Sequence, residues 1–108
     1  MSFQHASLAA GRWFELSLAE QLGNIGSEVS RAIKAGKDEK RFNGAVERAL
    51  ELFDLTLRDV RWRGRLKEIG RAREVFCDAV LGGHEYGSSL ESLNTYFFQF
   101  AYAARLRR

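Results

Sequence analysis

The 108-residue chain contains no proline, one cysteine, two histidines and one methionine. Each shortage excludes something. Proline removes a backbone donor and clashes inside a helix, so its absence leaves long uninterrupted helices open to the chain. Cys77, alone, cannot close an intrachain disulfide, so a reducing, cytoplasmic setting is expected. No apolar run approaches the roughly 20 residues that span a bilayer, so no membrane-spanning helix is expected. The N-terminus, MSFQHASLAAGRW, has neither the basic start nor the long apolar region of a signal peptide.

Catalytic patterns are equally scarce. His5 and His84 fall in a leading segment and a loop, without a helical carboxylate at a metal-binding offset. No metal, haem or other cofactor is therefore expected. No Arg is followed four to six residues later by His, a spacing shared by many small helical ribonucleases. The glycines of GRWFELSLAEQLGNIG stand at helical spacing with no following Lys-Ser/Thr, so they make no phosphate loop. Cys77 lies at the edge of an apolar stripe, a packing position. These absences point to a non-enzyme.

What is present is helical periodicity. Apolar residues make up 45% of the chain and charged residues 29%, the balance of one folded domain at this length. Residues 1–11 show no sustained period and read as an N-terminal extension to a single domain over 12–108. A first helix is predicted over 12–35, with Leu18, Leu22, Ile25, Val29 and Ala32 on one seam. Beside it run Ala19, Gly23, Gly26 and Ser30. Each interior glycine costs about 1 kcal/mol against alanine, so Gly23 and Gly26 mark a close approach, from a neighbouring helix or a second subunit.

Gly36 suits a helix end and Asp38 the next cap, followed by a helix over 39–57 built on Phe42, Val46, Ala49, Phe53 and Leu57. Its Glu47, Glu51 and Asp54 are expected to face solvent. A turn over 58–64 precedes a third helix over 63–81, which buries Leu66, Ile69, Ala72, Phe76, Ala79 and Val80. Gly82 and Gly83 end it, and Ser88 with Glu91 reads as a capping box for a fourth helix over 89–105. In that helix Tyr96, Phe98 and Tyr102 widen the apolar arc beyond what one bundle needs, which marks them as interface candidates. Four amphipathic helices joined by short loops predict an all-α fold, an antiparallel up-down-up-down four-helix bundle.

Charge is uneven along this frame. Residues 1–57 balance at −1 and residues 58–108 at +4. Arg58, Arg61, Arg63, Arg65, Lys67, Arg71 and Arg73 crowd into residues 58–73 against Asp59 and Glu68 alone. Such a segment suits an anionic partner, RNA or DNA, whose phosphates Arg and Lys neutralise without reading sequence. Arg63, Lys67 and Arg71 are predicted to form an outward row at i, i+4 steps, with Arg58, Arg61 and Arg65 around the preceding turn. Trp62 either stacks on an unpaired base or lids the bundle end. Arg73 falls among apolar positions and needs a carboxylate, Glu28 or Asp54, as a structural ion pair. Arg105, Arg107 and Arg108 extend the positive surface at the C-terminus.

Four stretches, LAEQLGNIGSEVSRAI, ERALELFDLTL, RLKEIGRAREVF and YFFQFAYAARLRR, make the chain resemble small prokaryotic four-helix-bundle proteins. Among these are the accessory variability proteins of diversity-generating retroelements. The resemblance covers the whole chain and implies a non-catalytic role: a ring of bundles whose positive surface binds a reverse transcriptase and its RNA or DNA. Arg63, Lys67, Arg71 and the arginines of the C-terminal tail are the positions here that match such a surface. The expectation is therefore a homo-oligomeric accessory protein that binds nucleic acid and assists a polymerase. The alternative is a protein-only adaptor that uses the aromatic fourth helix, with the basic face merely solvated.

Overall fold

The structure, a computed structural model, describes residues 11–83 and 86–106. Expectations for residues 1–10, His84, Glu85, Arg107 and Arg108 lie outside the described residues. Among those described there are helices and no strand, so the chain is all-helical. None of its helices is long and apolar enough to cross a membrane.

Helix α1 spans Leu18–Ala35. It starts where a capping box allows: Glu20 N–H donates to Ser17 Oγ at 3.1 Å, and Ser17 N–H donates to Glu20 Oε1 at 2.9 Å. The predicted start at residue 12 was early, because residues 11–13 are helical but the chain turns between them and Ser17. Gly36 closes α1 with φ of 55°, a conformation other residues resist, and its N–H reaches Ile33 O at 3.2 Å. Asp38 then caps α2, Glu39–Arg58, by accepting from Arg41 N–H at 3.2 Å.

Asp59 begins a 3-10 helix over Val60–Arg65, bent at Trp62, and α3 follows over Leu66–Val80. The third helix thus starts three residues later than expected, and Arg63 belongs to the 3-10 segment. Helix α4 spans Leu90–Leu106. Its cap is not Ser88 with Glu91. Ser92 N–H donates to Ser89 Oγ and Ser89 N–H to Ser92 Oγ, both at 3.1 Å, so the same reciprocal box is shifted by one residue.

Helix α1 packs against both α2 and α4, α2 packs against α3, and α3 meets α4 along a thinner seam. The whole predicted α1 seam is buried. At the centre Phe53, Phe76 and Phe97 are fully buried, with Phe53 5.8 Å from Phe76 and 6.0 Å from Phe97 between ring centroids. Each contributes roughly 1.5–3 kcal/mol of transfer free energy. Two burial expectations are corrected. Glu51 is only 3% exposed, because α2 has neighbours on two sides and buries a wider arc than its apolar stripe shows. Leu66, the first residue of α3, is 41% exposed at the end of the helix.

The glycine pair is also settled within the chain. A Cβ on Gly26 would stand 2.5 Å from Phe97 Cβ, and one on Gly23 would stand 3.0 Å from Ala101 Cα. Helix α4 of the same chain occupies that groove. Gly23 and Gly26 are therefore intramolecular packing positions, not a subunit interface.

Candidate nucleic-acid interface

The basic segment begins at a buried polar node, and the node decides which of its cations remain available. Asp59 is 4% exposed and Gln21 fully buried. Arg61 Nε donates to Asp59 Oδ1 at 3.0 Å and Nη2 to Oδ2 at 2.6 Å, a bidentate pair; Nη2 also reaches Leu16 O. Gln21 Nε2 donates to Asp59 Oδ2 at 3.0 Å and to Trp13 O at 2.8 Å, and its Oε1 accepts from Trp62 Nε1 at 2.8 Å. Trp13 Nε1 donates to Thr56 Oγ1, which itself donates to Leu52 O. The hydrogen bond from Arg61 holds the Asp59 carboxyl down to about 2 against the opposing effect of burial, and Gln21 adds to it. The same bond pushes the Arg61 guanidinium above its ordinary value.

This node takes Arg61 and Trp62 out of the expected surface. The Trp62 ring is half-buried, its N–H is committed to Gln21, and the Arg61 guanidinium lies 4.4 Å from its centroid. It ties the 3-10 helix to α1 as a lid, and no base can stack on the face that Arg61 covers. Arg61 is a structural clamp.

Of the other basic residues, Arg58, Arg63, Arg65, Lys67 and Arg71 are exposed. Arg65 pairs with Glu68 at 3.0 Å, while Arg71 lies 3.8 Å from Glu74 and 5.4 Å from the Tyr86 ring. Exposed pairs of this kind are worth about 1 kcal/mol or less, so a phosphate can displace the carboxylate. Lys67 and Arg71 share α3, but Arg63 sits before the helix, so the expected three-residue row is two residues plus a neighbour on another element. Arg58 is exposed at the end of α2, and Arg105 is exposed near the end of α4. Arg73 stands apart, its Nε 3.1 Å from Asp54 Oδ1 in a half-exposed pair between α3 and α2. Glu28, the other carboxylate considered for it, is engaged elsewhere.

On α4 the three interface candidates separate. Tyr96 is half-buried, its ring 5.1 Å from Phe97 and 5.3 Å from Phe100 of the same helix, and it packs against the edge of the core. Burial and the Glu68 carboxylate push its hydroxyl pKa upward. Phe98 and Tyr102, by contrast, are 59% and 53% exposed and stack on each other at 6.4 Å.

A second basic cluster went unseen in the sequence. Arg31 and Lys34 near the end of α1, and Lys40, Arg41 and Arg48 in the first half of α2, line a cleft of about 650 Å³ with Gly44. Beneath it Glu28, only 4% exposed, accepts from Arg31 Nη1 at 2.7 Å and from Arg48 Nε at 3.1 Å. Averaging charge over residues 1–57 cancelled these cations against that stretch's eight acids, none of which lines the cleft. The three-residue turn between α1 and α2 is the signal that brings them together.

Comparison with known proteins finds no matching family model, no matching curated protein and no matching solved structure.

Proposed function

We propose that α1 to α4 form one antiparallel up-down-up-down bundle acting without catalysis in the cytoplasm, as a homo-oligomeric accessory protein that binds RNA or DNA. The short connection after α1 and the pairing of consecutive helices support the bundle topology. The observation that carries the nucleic-acid reading is the exposed group Arg63, Arg65, Lys67 and Arg71, set on rigid helical backbone with only surface carboxylates beside it. Phosphates would bind there without base readout, since the Trp62 N–H is committed to Gln21 and Arg61 covers a face of its ring. The resemblance to retroelement accessory proteins extends the proposal to a reverse transcriptase as protein partner.

Titration of RNA and DNA oligonucleotides against salt tests this. Four phosphate contacts predict a log–log slope of about −3.6 on duplex DNA. The combined Arg63→Glu, Lys67→Glu, Arg71→Glu variant is expected to lose binding. Unchanged affinity in that variant, or no binding by the parent at low salt, overturns the nucleic-acid reading.

One observation favours a second reading, a protein-only adaptor. The stacked, exposed Phe98 and Tyr102 present an apolar ridge on α4 that no other described residue covers. Light scattering separates the outcomes for this ridge: a stable monomer that binds no hydrophobic dye counts against both self-association and an adaptor surface.

A further inference from the structure

We infer that the cleft between α1 and α2 is a binding site for a compact small molecule bearing several linked phosphates, recognised through those phosphates alone. The inference does not rest on the α3 surface, with which the cleft shares no residue.

Three features carry it. The first is charge. Arg31, Lys34, Lys40, Arg41 and Arg48 line the cavity, no carboxylate lines it, and the buried Glu28 offsets one of the five positive charges. Four like charges held around one concavity repel one another, and an anion of charge three to four relieves that repulsion.

The second is preorganisation. Glu28 takes one donor from Arg31 on α1 and one from Arg48 on α2, so a single buried carboxylate fixes two guanidiniums from opposite walls. Each guanidinium has about five N–H donors, and those not used on Glu28 remain for a ligand. Lys34, Lys40 and Arg41 are exposed around them and add mobile charge.

The third is space. A Cβ at position 44 would lie 3.3 Å from Arg48 Nη1, so glycine leaves the arginine head its place at the wall. The volume of about 650 Å³ falls within the ordinary range for small-ligand sites. No aromatic side chain lines the cleft, so a base would find nothing to stack on. A duplex, convex and wide, would touch only the rim.

Isothermal titration with sodium tripolyphosphate at low salt is the test, with sodium sulfate at matched ionic strength as the comparison. The parent is expected to show saturable one-site binding that sulfate does not reproduce. The exposed variant Lys34→Gln, Lys40→Gln, Arg41→Gln should weaken it at least about tenfold, since each substitution removes a charge-assisted contact to the phosphates. Gly44→Leu keeps every charge, improves helix propensity and fills the wall beside Arg48; it should abolish binding with an unchanged helical circular-dichroism signal. Arg63→Glu with Lys67→Glu should leave tripolyphosphate affinity unaltered, whatever it does to RNA.

No saturable heat from the parent overturns the inference, as does equal binding of sulfate. Full affinity in Gly44→Leu also overturns it, placing the anion on the rim. Loss of RNA binding in the glutamine variant, with no tripolyphosphate binding by the parent, would assign these cations to a polymer backbone instead.

Discussion

At the scale of single residues, the most informative contact is the one between Asp59 and Arg61. A carboxyl held at about 2 in the folded chain, against 3.8 ordinarily, binds protons less readily than its unfolded counterpart. The stability it supplies is complete above about pH 4 and is lost as the pH falls toward about 2. Asp59→Asn should cost about 2 kcal/mol near neutrality, since Arg61 is 38% exposed and can turn to water. Urea midpoints measured from about pH 6 to about pH 2.5 should then fall less steeply for the variant than for the parent. Arg61 and Trp62 were expected at a nucleic-acid surface because the sequence shows them only as neighbours in a basic run. Trp62's partner Gln21 lies 41 positions away and also holds Asp59, the carboxylate that clamps Arg61, and no local pattern announces it. Arg73 is the opposite case: a cation at an apolar register position demands a carboxylate, and Asp54 meets it from α2.

Among the elements, the glycines show how the same residue type carries different consequences on different helices. Gly26 faces α4 so closely that an added Cβ would meet Phe97 Cβ at 2.5 Å, whereas nothing lies within 4 Å of a Cβ at Gly70 on α3. Alanine raises helix propensity by about 1 kcal/mol at either site. Overpacking at Gly26 costs about 1–3 kcal/mol and outweighs that gain. Thermal melts should therefore show Gly26→Ala destabilised, by up to about 2 kcal/mol, and Gly70→Ala stabilised by about 0.5–1 kcal/mol. The sequence announced that something approaches closely at Gly23 and Gly26. It did not say whether the neighbour is α4 or another subunit, because spacing on one helix carries no information about what docks there. Helix ends were legible to within three residues, except the start of α1, which was placed six residues early. Ser17 with Glu20 is a capping box readable without a structure, and it marks the true start of α1.

For the molecule as a whole, adjacent aromatic residues on α4 should behave oppositely. Phe97 is fully buried against Phe53, and Phe97→Ala should cost about 3–5 kcal/mol. Phe98→Ser with Tyr102→Ser, on the exposed side, should shift the melting temperature of a dilute sample by only a few degrees, following a cost of about 1 kcal/mol or less. If the ridge is where copies of the chain meet, the same double variant lowers the mass seen by light scattering. An unchanged mass would move the self-association surface elsewhere.

By itself the sequence determined the helical class, the four main helices among the described residues and the α1 core seam, because helix period, caps and breakers act within about four residues. It also located a basic, exposed segment ahead of and along α3. Only the tertiary structure decided which of those cations are available, which apolar stripe is covered, and that Arg31, Lys34, Lys40, Arg41 and Arg48 share one cleft. Those outcomes depend on groups far apart in the chain, such as Gln21 with Asp59 or Arg48 with Glu28. Such pairs exist only once the helices have docked, and docking sums many weak contacts that no short stretch of sequence contains.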